Sequence, residues 1–248
     1  MSQGLYIYGK NTVEELFKAR VRGARVPIQK VYLTRAGEKD SFIMSTIQSN
    51  RLTYSIVTEE ELEHHVGRGA VHQGVAVLID GGSLYQTLPE VLAEEKEGKK
   101  IIVVLDHLED PHNVGAIMRS CLAFGVDAVI MPEHNQAQIT SVVAKASSGA
   151  IFSIPIISVS NVNNTLLSLK EKGFWVYGLT GGGDSRLTET VFDENTVIVV
   201  GSEGQGIAHK TLEHCDFKLS IPINGLCESL NASNAIAVTL YEWRKQNG

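Results

Sequence analysis

Apolar and polar positions alternate along this chain with two different periods, one typical of strands and one of helices. Over the first eighty residues, short apolar runs alternate with helical stretches such as NTVEELFKARV at 11–21. These runs predict strands at YIYG (6–9), VYL (31–33), TYSIV (53–57) and GVAVLI (74–79). The pattern predicts a small α/β domain over residues 1–80.

The apolar runs are stronger and more continuous from Ile101 onward. They predict strands at IIVVL (101–105), DAVIM (127–131), FSIPII (152–157), FWVYGL (174–179), TVIVVG (196–201) and FKLSIPI (217–223). Nearly unbroken apolar strands separated by helices are typical of a mostly parallel sheet with helices on both faces. We therefore predict a second α/β domain over 101–248 and a linker over 81–100, where EVLAEEKEGKK indicates a solvated helix.

The helix that follows the first of these late strands has the clearest signals. Asn113 is its predicted N-cap, and Gly125 suits the left-handed position that ends a helix. One apolar stripe is formed by Val114, Ile117, Met118, Cys121 and Leu122. Arg119 lies off this stripe, so we expect its side chain to face a ligand.

Glycine-rich and polar segments follow three of the late strands: TGGGD at 180–184, SEGQG at 202–206 and NGLCESLNASNA at 224–235. Open α/β sheets bind ligands beyond the carboxyl ends of their strands, so we expect the three segments to form one site. Glycine lets the backbone approach a ligand closely. Polar side chains are supplied by Glu203, Glu228, Ser229, Asn231 and Asn234.

Several other chemistries lack their motifs. No G-x-G-x-x-G loop follows the first late strand, which disfavours a nicotinamide oxidoreductase, and there is neither a Walker loop nor the G-x-S-x-G elbow of a hydrolase. An acidic and histidine-rich loop comprises Asp106, His107, Glu109, Asp110 and His112. It lacks the i, i+4 histidine pair of helical zinc sites, so we interpret its acids as stabilising the next helix and predict no metal.

The composition indicates which general class of protein this is. The chain has 248 residues, 43% of them hydrophobic, which is enough for two domains, and no run approaches the ~18 apolar residues of a membrane helix. With no basic and apolar leader in MSQGLYIYGK, we expect a cytoplasmic protein without membrane association. The three cysteines, Cys121, Cys215 and Cys227, lack metal-ligand spacing and are expected to be buried thiols.

The net charge of −6 taken alone disfavours nucleic acid, because phosphate binding depends on lysine and arginine. Residues 1–35, however, hold seven basic residues against two acidic ones. Such an excess is typical of a basic face that binds RNA and also of a solvated helix face. The candidate RNA contacts in this segment are Lys10, Arg20, Arg22 and Arg25.

Three segments of the second domain resemble the ordered motifs of the SpoU branch of the SPOUT methyltransferases. They are DPHNVGAIMRSCLAFGVDAVIM (110–131), IVVGSEGQGI (198–207) and IPINGLCESLNASNAIAVTLYE (221–242). YIYGKNTVEELFKA (6–19) and AVHQGVAVLI (70–79) are similar to the N-terminal substrate-binding domain of ribosomal RNA guanosine 2′-O-methyltransferases in this family. The resemblance implies a deep trefoil knot in the C-terminal sheet, an exception to the rule that chains are unknotted.

The resemblance also implies a function: transfer of a methyl group from S-adenosylmethionine to a ribose 2′-hydroxyl, with a guanosine of 23S ribosomal RNA as the expected target. It implies a homodimer through the C-terminal domain, in which the second subunit completes the site. The implied catalytic residues are Asn113, Arg119, Glu203, Ser229 and Asn231. The implied cofactor residues are Thr180, Gly181, Gly201, Ile221 and Leu230.

Arg119 is implied to contact RNA as well. A guanidinium stays protonated, so we interpret Arg119 as holding the neighbouring phosphate and stabilising the developing alkoxide, rather than as a base. Two alternatives stay open, a tRNA ribose 2′-O-methyltransferase and a catalytically idle RNA-binding protein of ribosome assembly. The extra N-terminal domain favours ribosomal RNA, and the retained polar residues disfavour the idle protein.

Overall fold

The computed structural model describes residues 4–94, 98–192, 194–227 and 229–248, which form two compact units. The first unit contains the chain up to Leu84 together with Ile139–Ser153, and the second contains Tyr85–Gln138 and Ile154–Gly248. Glu228 and the centre of the predicted linker, at 95–97, lie outside the described residues. No helix within the described ranges is long and apolar enough to cross a membrane.

The first unit has a four-stranded sheet in the order β1-β4-β2-β3. β4 runs antiparallel to both β1 and β2, and β3 runs parallel to β2. The third helix begins with a capping box, in which the Thr58 hydroxyl and the Glu61 carboxylate each accept a backbone N–H of the other residue. The elements are β1 (Gly4–Tyr8), α1 (Lys10–Val21), β2 (Ile28–Leu33), α2 (Ser41–Ser49), β3 (Tyr54–Ile56), α3 (Glu59–Val66) and β4 (Val75–Asp80).

The second unit has a seven-stranded sheet in which every neighbouring pair of strands is parallel. Its strands are β5 (Ile101–Asp106), β6 (Ala128–Pro132), β7 (Ile156–Val159), β8 (Phe174–Leu179), β9 (Ser185–Arg186), β10 (Asn195–Gly201) and β11 (Phe217–Ser220). They are ordered β7-β6-β5-β10-β8-β11-β9, and all six residues of β5 are buried. Full burial explains the unbroken apolar runs of the sequence.

Helices cover both faces of this sheet. The α-helices described in this unit are α4 (Leu88–Ala93), α5 (Pro111–Phe124), α7 (Val162–Glu171), α8 (His209–Glu213) and α9 (Ala232–Asn247), whereas α6 (Ser141–Ala146) belongs to the first unit. α7 buries Leu166 and Leu169 in one cluster with alternate residues of β5, β8 and β10. α5 packs on α9, and the Trp243 indole N–H of α9 donates to Thr196 Oγ1 on β10, at 3.1 Å. The α/β fold class predicted from the sequence is therefore confirmed, and the knot stays a prediction.

The start of α5 differs from the prediction. Asp110, not Asn113, is the N-cap, because its carboxylate accepts the backbone N–H of His112 at 2.9 Å and Pro111 occupies the first turn. Gly125 does end the helix, with φ of 73°. Leu122 is 42% exposed and does not belong to the buried stripe.

Two predicted strands are too long, and one segment lies elsewhere than expected. Ala150–Phe152 form a 3₁₀ turn, so β7 begins only after Pro155, and β11 ends at Ser220, before Pro222. Pro155 directly precedes β7 and Pro222 follows the end of β11 by two residues, and a proline has no N–H to donate to a neighbouring strand. Residues 139–153, placed in the second domain by the sequence, pack within the first unit.

Candidate functional site

The carboxyl ends of four neighbouring strands lie side by side at one edge of the parallel sheet. Gly201, at the end of β10, pairs with Asp106 at the end of β5. β10 also pairs with β8, and β8 pairs with β11 through Leu179 and Leu219. The backbone N–H of Thr180 continues this last pairing and donates to Leu219 O at 2.9 Å. The loops that follow β8, β10 and β11 therefore start next to one another, as the sequence predicts.

Three of the five predicted catalytic residues are joined by hydrogen bonds. Nδ2 of Asn113 donates to Oε1 of Glu203 at 3.0 Å. Nδ2 of Asn231 donates to Oδ1 of Asn113 at 2.9 Å and also to Oε1 of Glu203. Oδ1 of Asn231 accepts the backbone N–H of Ser233 at 2.8 Å and so caps α9. One carboxylate oxygen thus fixes two amides that are 118 residues apart in the chain.

The other two predicted catalytic residues, Arg119 and Ser229, are both exposed. Arg119 is exposed on α5, six residues after Asn113. Ser229 is exposed two residues before Asn231, and its carbonyl accepts the Cys227 thiol at 3.1 Å. Both side chains are accessible to a ligand.

The loop after β10 is too tight for any residue but glycine at Gly201. Ser202 and Gly206 exchange backbone hydrogen bonds, Ser202 N to Gly206 O at 3.2 Å and Gly206 N to Ser202 O at 2.9 Å. A Cβ on Gly201 would lie 2.0 Å from Gly206 C and 2.2 Å from Ile207 N. The closed loop presents Glu203 at its tip.

The predicted cofactor residues offer backbone and apolar surface. Gly201 is buried, Thr180, Ile221 and Leu230 are half-buried, and Gly181 is exposed. A Cβ on Gly181 would meet nothing within 4 Å, so the backbone there is open to a ligand. An exposed peptide group and half-buried aliphatic side chains are the kinds of surface that suit a planar heterocycle held by its polar edge.

A cavity of about 400 Å³ opens beside Asn113 and Glu203. It is lined by His107, Leu108, Glu109, Asp110, Asn113, Asn135, Ser202, Glu203, Gly204 and Gln205. The five predicted cofactor residues are not among them. Asn135, from the loop after β6, was missed by the sequence analysis because nothing near it in the chain suggests a site.

Asp106 has a structural role that the sequence did not reveal. It is fully buried, its Oδ2 accepts the backbone N–H of Ala208 at 2.7 Å, and its Oδ1 lies 2.7 Å from Nδ1 of His107. It therefore ties the end of β5 to the chain that follows the β10 loop. No group of three or more His, Cys, Asp or Glu residues that could hold a metal ion occurs among the residues described.

The cysteines differ in exposure. Cys121 is buried and Cys215 is half-buried, and burial raises the pKa of Cys215 to about 12 and that of Cys121 further, so both thiols stay protonated. Cys227 is exposed, contrary to the expectation that all three are buried. It lies in the loop after β11, which carries no helix or strand to bury it.

The basic residues of the first unit are partly neutralised. Lys10 Nζ lies 2.6 Å from Asp40 Oδ2, and this hydrogen-bonded pair raises the pKa of Lys10 and lowers the pKa of Asp40. Arg22 lies 3.6 Å from the Glu15 carboxylate. Arg20 and Arg25 form no ion pair within the described part of the chain. Arg20 and Arg25 are therefore the two members of the predicted N-terminal set whose positive charges have no ion-pair partner among the described residues.

Comparison with known proteins decides the family. Residues 100–241 match the model of the SpoU rRNA Methylase family, and residues 6–83 match the model described as RNA 2′-O ribose methyltransferase substrate binding. The chain belongs to the SpoU rRNA methylase family. It is accordingly an RNA methyltransferase that uses S-adenosylmethionine and has a substrate-binding domain for RNA.

Relatives agree along nearly the whole chain. A protein of Staphylococcus aureus (strain MSSA476), named for the TrmH family of tRNA/rRNA methyltransferases, is 37% identical and covers 97% of this chain and 96% of its own length. The SpoU methyltransferase AviRb from Streptomyces viridochromogenes, solved in complex with AdoMet, has a TM-score of 0.84 over 98% of this chain and 90% of that one. At 21% identity it shows the common fold alone.

A second solved structure matches only part of this chain. The A. aeolicus TrmH/SpoU tRNA modifying enzyme is 34% identical, with a TM-score of 0.55 over 63% of this chain and 79% of that one. Of the two solved structures, one thus matches nearly the whole of this chain and the other matches 63% of it.

Proposed function

We propose that this SpoU protein transfers a methyl group to the ribose 2′-hydroxyl of a guanosine in 23S ribosomal RNA. The observation that carries the proposal is the hydrogen-bonded set of Asn113, Glu203 and Asn231 at the carboxyl edge of the sheet. Each of the three comes from a different one of the family-like motifs. A set of uncharged amides locked by one carboxylate is suited to orienting a hydroxyl, and positioning of this kind supplies a large part of the rate in group transfer.

The residues at the three loops fit S-adenosylmethionine. Gly181 presents open backbone, and Ile221 and Leu230 present aliphatic surface, which together can hold an adenine and its ribose without a phosphate-binding loop. Thr180 and Gly201 are the further residues that would hold it. The cofactor, when bound, supplies a methyl group on a positively charged sulfur.

The protein's own residues then have separate tasks in our proposal. Arg119 holds the phosphate next to the target ribose, and its permanent positive charge stabilises the oxygen as negative charge develops there. Asn113 and Asn231, fixed by Glu203, orient the hydroxyl. Ser229 contacts the nucleotide from the loop that precedes α9. The proton of the hydroxyl leaves to phosphate or water, because a guanidinium is a poor acceptor.

The proposed function is tested by incubating the protein with methyl-labelled S-adenosylmethionine and separate pools of tRNA and large-subunit ribosomal RNA. We expect label in the ribosomal RNA, and mapping should place it on the ribose of a guanosine. Label in tRNA alone would contradict the substrate proposal. Label in neither pool would favour the catalytically idle alternative.

We also propose that the protein is a homodimer formed through α5 and α9. These two packed helices expose apolar residues, Leu122 (42% exposed), Val238 (43%) and Tyr241 (60%). The Tyr241 ring packs edge-on against Phe124, with centroids 6.3 Å apart. A cluster of exposed apolar side chains on two adjoining helices is typical of a protein–protein interface.

Tyr241→Glu is expected to shift the protein toward monomer and to lower methyl transfer, since a buried unpaired carboxylate opposes association. Light scattering coupled to size-exclusion chromatography measures the mass. Tyr54→Glu is the matched control, because Tyr54 is 42% exposed on β3 of the first unit. Unchanged mass for Tyr241→Glu would contradict the proposed interface.

Arg20 and Arg25 are proposed as RNA contacts of the substrate-binding domain. The double change Arg20→Ala and Arg25→Ala should weaken RNA binding and lower the slope of log affinity against log salt by about 1 for each phosphate contact removed. The double change Arg51→Ala and Arg68→Ala, at two exposed arginines elsewhere in the same unit, controls for net charge. Equal slopes for the double variant and the wild type would exclude the two arginines from phosphate contacts.

A further inference from the structure

The cavity beside Asn113 and Glu203 is not accounted for by the cofactor residues. Its volume of about 400 Å³ lies in the range of small-ligand sites. Two of its lining residues, His107 and Asn135, have left-handed backbones with φ of 60° and 53°, a conformation that is uncommon outside glycine and is found at functional sites. The cavity therefore has the features of a binding site next to the proposed position of the ribose.

The charge of the lining selects the kind of group that can enter. Glu109, Asp110 and Glu203 all line the cavity, and none of the described residues that line it is a lysine or an arginine. A phosphate would be repelled by these carboxylates, so the RNA backbone is expected to stay outside. A group rich in hydrogen-bond donors is favoured instead, because ionised carboxylates only accept hydrogen bonds.

Glu109 is the carboxylate of the cavity with both oxygens unengaged among the described residues. Oε1 of Glu203 accepts from Asn113 and Asn231, and Oδ1 of Asp110 accepts the His112 N–H as the N-cap of α5. Glu109 is exposed and makes no hydrogen bond or ion pair with the residues the structure describes. Both of its oxygens can therefore accept from a ligand.

The side chain of Gln136, next to the lining residue Leu108, has a buried hydrogen-bond donor without a partner among the described residues. Gln136 is only 7% exposed, and its Oε1 accepts the backbone N–H of Leu108, a lining residue, at 2.8 Å. Its Nε2 is buried and has no partner within the described residues.

Among the four RNA bases, guanine alone presents two neighbouring donors, N1–H and the N2 amino group, on its Watson–Crick edge, with the O6 acceptor beside them. Adenine and cytosine place an acceptor next to their amino group, and uracil has one N–H between two carbonyls. A carboxylate with two free oxygens can bind N1–H and N2–H side by side in a charge-assisted pair. RNA-modifying proteins commonly read unstacked bases on this edge.

We propose that the cavity receives the base of the target nucleotide and that the Glu109 carboxylate selects guanine by pairing with N1–H and N2–H. Glu109 is a specificity-determining residue in this proposal and takes no part in moving the methyl group or the proton. The proposal rests on the proposed function, since it concerns the nucleotide whose ribose is methylated, and it adds how the base is chosen.

The test uses the full chain and an RNA fragment that contains the mapped target nucleotide, made with either guanosine or inosine at that position. Inosine keeps N1–H and lacks the N2 amino group. The wild type should prefer guanosine in kcat/KM by about 10- to 100-fold, the range for loss of a bidentate base contact. Glu109→Gln should lose a similar factor on guanosine and little on inosine, so that the two substrates become nearly equal.

Glu171→Gln is the matched control, because Glu171 is an exposed glutamate at the end of α7, outside the cavity lining. It should keep the wild-type preference. A Glu109→Gln protein that discriminates as the wild type does would overturn the inference, as would a mapped target that is not guanosine. Methylation of no RNA by the wild type is a different result, and it would remove the proposed function itself.

Discussion

Arg119→Ala is expected to lose nearly all methyl transfer while the protein folds and binds S-adenosylmethionine as the wild type does. Arg119 is exposed on α5 and is not one of the buried residues of that helix, so its replacement leaves the buried side chains of α5 unchanged. If it holds the phosphate and stabilises the developing alkoxide, removing its charge should lower the single-turnover rate by about 100- to 1000-fold. Rapid-quench assays with labelled cofactor measure the rate, and calorimetry measures cofactor affinity.

Arg119→Lys tests whether a positive charge alone is sufficient at this position. Lysine keeps the charge and loses the planar fork that can hold two phosphate oxygens, so we expect a rate between those of the wild type and Arg119→Ala. Normal turnover by Arg119→Ala would remove this residue from the mechanism. Loss of cofactor binding together with activity would indicate a structural role instead.

The parallel sheet could be predicted from the sequence because its strands are buried on both faces. A strand such as Ile101–Asp106 has no exposed face, so its residues are apolar throughout except for the aspartate at its end. The three loops after β8, β10 and β11 could be predicted to meet for a related reason. Parallel strands bring their carboxyl ends to one edge, whatever their order in the sheet.

The hydrogen bonds within the site could not be predicted in this way. Asn113 resembles a helix cap, because asparagine is a good N-cap and apolar periodicity follows it. In the structure Asp110 takes the cap, which leaves the Asn113 amide for Glu203 and Asn231. Which of two nearby polar residues caps a helix depends on partners that arrive from distant segments.

Residues 139–153 show a second limit of prediction from the sequence. Their short helix and 3₁₀ turn pack within the first unit, although the family motifs on either side belong to the second. Gly149, with φ of 80°, approaches Glu15 of α1 so closely that a Cβ would lie 2.5 Å from the Glu15 Cβ. Local periodicity predicts helices and strands, and it carries no information on which sheet they pack against.

Gly201→Ala should have the largest effect on the integrity of the site. The added Cβ would lie 2.0 Å from Gly206 C and 2.1 Å from Gly206 O, and these are backbone atoms that cannot rotate away. The loop of residues 202–206 must therefore shift, at a cost of about 3 kcal/mol in the free energy of unfolding. Because that loop holds Glu203, we also expect methyl transfer to fall by about 100-fold, as for other displacements near 1 Å.

Gly204→Ala is the matched control for stability, since it lies in the same loop and a Cβ there would meet nothing within 4 Å. Its free energy of unfolding should stay within about 0.5 kcal/mol of the wild type in urea or guanidinium titrations. Equal stability of the two variants would mean that the loop after β10 yields easily. In that case the position of Glu203, and with it the amides of Asn113 and Asn231, is set by their mutual hydrogen bonds rather than by the backbone at Gly201.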